Sequence, residues 1–163
     1  MPKTDPIRPT DDAARSLARS LIDGARFGAL GVLDPETGSP MVSRVAVACD
    51  PGGIPLMLVS DLSHHTRALR ANPAASLLVG EPGGKGDPLT HPRLTIQAGA
   101  RFVDRSGPDH GALRALWLAR HPKAKLYVDF ADFGFVRLVP GAAHLNGGFG
   151  KAFVLGPDDL LAG

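Results

Sequence analysis

At 163 residues, with 44% of them hydrophobic and 21% charged, the chain has the size and composition of one globular domain, which excludes a disordered or fibrous protein. Eighteen Lys and Arg against sixteen Asp and Glu leave a net charge of +2 spread along the sequence, so no basic tail or stripe points to nucleic acid. A single cysteine, Cys49, excludes an internal disulfide framework and a multi-cysteine zinc site and fits a reducing, cytoplasmic setting, while no signal-like start and no 18-residue apolar run points to a membrane.

Residues 1–10 read as a flexible arm, 11–155 as the folded domain and 156–163 as a tail. Thr10 is placed to N-cap a helix over 11–23, with Asp11 and Asp12 in its positive first turn and Gly24 as its stop. Ala14, Leu17, Ala18, Leu21 and Ile22 recur at helical spacing and give it one buried face. From Phe27 the pattern changes to short apolar runs over 27–33, 41–49 and 54–59, separated by Asp34-Pro35-Glu36-Thr37-Gly38 and Asp50-Pro51-Gly52-Gly53. Those separators have turn chemistry, so three antiparallel strands in sequence are expected. A helix over 63–71 closes at Asn72-Pro73 and leads into a strand over 75–80, and the Gly- and Pro-rich tract 81–88 is irregular. A long strand over 93–104, a helix over 108–120 and a last strand over 133–145 follow, the last ending before Gly147-Gly148-Phe149-Gly150. Strands without strict βαβ alternation argue for an α+β, mainly β fold: a six-stranded antiparallel barrel with peripheral helices.

The densest group of anion-binding side chains is Ser60-Asp61-Leu62-Ser63-His64-His65-Thr66-Arg67, which ends one strand and opens a helix. Free N–H groups at a helix start, ringed by hydroxyls and basic side chains, make a phosphate site; the alternative is a solvated capping turn. Arg44 lies within the apolar run Met41-Val42-Ser43-Arg44-Val45-Ala46-Val47 and needs either an anion or a carboxylate partner there. The six histidines, including His64, His65, His91, His110, His121 and His144, lack the i, i+4 spacing of a helical metal pair, so no metal site is assigned. Gly83-Gly84-Lys85-Gly86 lacks the Ser or Thr of a P-loop. No residue stands out as a general acid or base.

In their order, Arg44, Ser60, His64-His65, Asn72-Pro73-Ala74-Ala75-Ser76-Leu77-Leu78, His91-Pro92-Arg93-Leu94-Thr95-Ile96-Gln97 and His144-Leu145-Asn146-Gly147-Gly148-Phe149-Gly150 resemble the pyridoxamine 5'-phosphate oxidase-like FMN-binding split-barrel superfamily, and especially its haem-utilisation branch. The resemblance covers residues 12–153 and implies a split β-barrel homodimer with FMN in a groove between subunits. Arg44, Ser60, Ser63, His64, His65 and Thr66 would then hold the phosphate with Arg67 nearby, and the backbone of Val45 and Ala46 would meet the isoalloxazine. Arg93 and Asn146 would approach the flavin from the partner subunit. The activity implied is a flavin-dependent oxidoreductase with a small-molecule substrate. His64-His65 stands where the oxidases carry Arg-Lys, and the segment Gly150-Lys151-Ala152 replaces their vitamin-reading Arg-x-His, so oxidation of pyridoxamine phosphate itself is not expected. The branch also implies an alternative, haem binding with His64, His65 or His144 at the iron, and a third reading is a dimer that keeps the fold without a cofactor.

Overall fold

The computed structural model describes residues 5–161. Nine strands and three α-helices follow in the order β1 (Ile7–Arg8), α1 (Asp12–Gly24), β2 (Phe27–Leu33), β3 (Pro40–Ala46), β4 (Ala48–Cys49), β5 (Pro55–Ser60), α2 (His64–Ala71), β6 (Ala74–Val79), β7 (Arg93–Phe102), α3 (His110–Arg120), β8 (Phe133–Asn146) and β9 (Ala152–Leu155). Hydrogen-bonded neighbours run β1-β9-β8-β7-β6-β2-β3, and β5 pairs with β4 and with the first residues of β8. All pairings are antiparallel except β1 with β9. β3 and β5 touch without sharing a ladder, which leaves the sheet open along that seam. The fold is thus α+β, mainly β, a split barrel.

Period-two alternation drives the closure. On β2, Leu30 and Val32 point inward with Val45, Met57, Val59, Leu77, Val79, Leu94, Ile96 and Leu138 from the other strands, and Ala14, Ala18 and Ile22 of α1 cap one end. A second apolar cluster forms outside the barrel, where Leu113 and Trp117 of α3 pack on Leu56 and Phe135. β8 serves both parts: residues 133–137 pair with β5, residues 136–146 with β7, and residues 143–146 with β9. A bulge between Gln97 and Ala98 of β7 places Pro140, which has no N–H for the ladder, at the irregularity.

Several expectations need correction. Asp11, not Thr10, caps α1, its carboxylate accepting from the N–H of Ala14 at 2.7 Å, because the Thr10 hydroxyl is drawn to the carbonyl of Val154. α3 begins at His110 rather than at 108, and Asp109 gives it no side-chain cap since its carboxylate turns to Arg137. The apolar run 41–49 breaks at Val47, whose N–H leaves the ladder for the carbonyl of Arg26. Six strands become nine because Ala48–Cys49, Ile7–Arg8 and Ala152–Leu155 also pair. Within the segments read as arm and tail, Ile7–Arg8 lies beside β9, Leu160 is buried, and Arg15 and Arg19 of α1 hold Asp159 and the carbonyl of Leu160. The outermost parts of both segments, 1–4 and 162–163, lie outside the described residues.

Candidate functional site

The turn from β5 into α2 is set by its own hydrogen bonds. The Ser60 hydroxyl donates to Asp132 at 2.7 Å and accepts from the N–H of Leu62, and the Asp61 N–H donates to the carbonyl of Asp132. Ser63 occupies the cap position without a side-chain hydrogen bond, so among the described residues the N–H groups of His64, His65 and Thr66 have no protein acceptor. Thr66 is fully buried and its hydroxyl is unpartnered. Orphaned donors beside a buried free hydroxyl are what an anion would satisfy.

The basic side chains there divide. Nε2 of His64 lies 3.1 Å from the carboxylate of Asp34, in the turn between β2 and β3. Asp34 is held below the usual carboxylate range first by the N–H groups of Thr37 and Glu36 and then by His64. Burial lowers the pKa of the His65 imidazole, with the neighbouring His64 adding to it, so His65 favours the neutral ring. Arg67 is exposed.

Arg44 is exposed rather than buried. Residues 42, 44 and 46 of β3 alternate outward while the side chain of Val45 enters the core, and the Arg44 guanidinium lies 5.5 Å from the centre of the Phe27 ring. Among the described residues no carboxylate stands within 4.0 Å of it, so the alternative of an internal ion pair does not hold.

Register also assembles a row that no segment reveals alone. Arg44 pairs with Ala29, Ala29 with Leu78, Leu78 with Thr95, and Thr95 with His144, so one line across the outer face of β3-β2-β6-β7-β8 carries an arginine at one end and a histidine at the other. A groove of about 360 Å³ lies on this face, lined among others by Phe27, Ala29, Arg44, Leu78, Glu81 and Pro82. A second hollow of about 440 Å³ continues it past Gly31, Leu33, Ser76 and Gln97. Arg93 and Asn146 pair with each other across β7 and β8, and each is engaged locally: Nη1 of Arg93 donates to the carbonyl of Leu89, and Oδ1 of Asn146 accepts from the N–H of Gly148. Sequence reasoning missed Phe27, Leu78 and Glu81, although the alternation of Phe27 and Ala29 opposite Val42 and Arg44 carried the outward face. It had no signal for Asp34 as the partner of His64, thirty residues away.

The barrel, its open seam and the outward groove define a split-barrel protein. The chain belongs to the CREG β-barrel family, which it matches over residues 9–160. It is 38% identical over 139 residues to the chloroplastic non-canonical haem oxygenase HOZ of Arabidopsis thaliana, an alignment covering 83% of this chain and 41% of that protein. A haem-binding protein from Mycobacterium smegmatis superposes with a TM-score of 0.82 at 30% identity, over 94% of this chain and 61% of that one. A general stress protein 26 relative of the pyridoxinephosphate oxidase family from Clostridium acetobutylicum shares the fold, with a TM-score of 0.69 at 14% identity over 93% and 99% of the two chains. The chain thus spans about two fifths of the plant protein and three fifths of the mycobacterial one. Among the described residues no helix is long and apolar enough to cross a membrane.

Proposed function

We propose that the chain binds haem in the groove on the outer face of the barrel, as a homodimer whose second copy covers that face, and acts in haem breakdown. The observation that carries this reading is the row from Arg44 to His144. Haem is a flat apolar ring with two carboxylates and an iron that takes a nitrogen ligand, and the row offers a cation without a carboxylate partner, the floor Ala29, Leu78 and Thr95, and an exposed imidazole. The chemistry of this donor set suits the group, with Thr95 and His144 on the row beyond the lining of the two hollows. His144 would stand at the iron, and Arg44 would pair with a carboxylate while Phe27 holds its guanidinium. Once held, haem supplies the iron at which oxygen chemistry takes place; the chain supplies position and electrostatics. The name of the plant relative adds support, since its identity to this chain falls within the barrel.

Haemin added to the purified chain should give a sharp, shifted Soret band that His144→Ala broadens, and Arg44→Ala should weaken binding by about tenfold or more, the loss of one charge-assisted hydrogen bond. A spectrum equal to that of free haemin would end this reading.

The start of α2 favours a second reading, FMN. Its free N–H groups and the unpartnered Thr66 hydroxyl suit a phosphate, although His64 is committed to Asp34 and His65 favours the neutral ring. This reading makes the protein a flavin-dependent oxidoreductase with a small-molecule substrate, and a yellow protein that releases FMN on denaturation is its signature.

A further inference from the structure

Residues 81–90 form a loop of Glu81-Pro82-Gly83-Gly84-Lys85-Gly86-Asp87-Pro88-Leu89-Thr90 with one short 3-10 turn, Pro88–Thr90, which side-chain bonds from Asp87 and Thr90 hold. Its neck is closed by one ring. Nδ1 of His91 accepts from the N–H of Gly83 at 3.1 Å, and Nε2 lies 2.6 Å from the carbonyl oxygen of Lys85. A carbonyl only accepts, so the proton sits on Nε2, and an N–H only donates, so Nδ1 is bare: the partners select the neutral imidazole and one tautomer of it. The fit is close, since a Cβ on Gly83 would stand 3.2 Å from Cε1 of the ring.

The loop borders the groove at its start. Glu81 and Pro82 line the hollow that holds Arg44, and the carbonyl of Leu89 orients Arg93. Thr90 abuts the turn between β8 and β9, its carbonyl oxygen 3.3 Å from where a Cβ of Gly148 would be. We propose that His91 is a positioning residue: its ring, bonded to both Gly83 and Lys85, clips the 81–90 loop in place as a wall of the groove. The link from the clip to ligand binding rests on the groove reading above; the clip itself does not.

The test therefore has two arms. Amide exchange is followed at Gly83 in the chain without ligand, with intrinsic rates divided out. Protection should fall by about tenfold in His91→Ala and in His91→Phe, which keeps the ring's bulk, the loss of one hydrogen bond. Protection that both variants keep overturns the clip. In the second arm the probe is metal-free protoporphyrin IX, which has no iron for a histidine to bind. Its affinity should fall in His91→Phe. An affinity unchanged in His91→Phe overturns the link to the groove, and a porphyrin that binds neither chain overturns the groove reading while the exchange arm still decides the clip.

Discussion

Burial pushes the Cys49 thiol up to about 11, against the opposing pull of Arg19, whose Nη2 lies 3.4 Å from Sγ. The thiolate is the reactive form, so a shift of two units from 9.0 leaves about a hundredfold less of it. A disulfide reagent should modify Cys49 about a hundredfold more slowly in the folded chain than in urea; equal rates would show that the thiol is open and ionised. The sequence placed Cys49 at the end of an apolar strand, but Arg19 is thirty residues away and only packing of α1 on β4 brings the two together. Arg44 teaches a related lesson. Its presence in an apolar run suggested a buried charge in need of a partner, whereas the alternation of β3 turns it outward onto Phe27.

β2 carries two glycines with different reasons. A Cβ at Gly28 would meet the carbonyl oxygen of Leu78 at 2.8 Å and Cδ1 of Leu77 at 2.9 Å, so β2 and β6 would have to part. Gly28→Ala should cost about 1–3 kcal/mol in urea unfolding. At Gly31 the nearest atoms to a Cβ are those of Ser76, at 3.7 and 3.8 Å, so Gly31→Ala should keep or raise stability, by about 0.5–1 kcal/mol at most. Equal losses at both positions would mean that the spacing of β2 and β6 is not what constrains this strand. Most elements were legible to within a residue or two because turn chemistry and periodicity are local: 27–33 and the end of α2 at Asn72-Pro73 are examples. Strands of two to four residues carry no period, so β1, β4 and β9 emerged only with their partners, and the bulge at Pro140 depends on β7.

Across the whole molecule the outer face is the part left unfinished. Val42 is 72% exposed, Leu78 41% and Phe27 40%, an apolar surface around a groove, which is what a second copy would cover. Val42→Asp should turn a dimer into a monomer in sedimentation without loss of fold, and a parent chain that is already monomeric at tens of micromolar, a scale set by typical weak association, would remove the dimer from the proposal. The amino-acid sequence by itself determined the class: the strand-rich pattern, the helix behind Ser60-Asp61-Leu62-Ser63, and a resemblance borne out by membership of a split-barrel family. Tertiary structure alone decided that Arg44 and His144 share one row, that His64 is held by Asp34 and that His91 bonds both Gly83 and Lys85. Register is the reason. It is fixed by ladders between strands as far apart in the chain as Ile7 and Ala152 and by which faces the core can bury, and neither is written in any local stretch of chain.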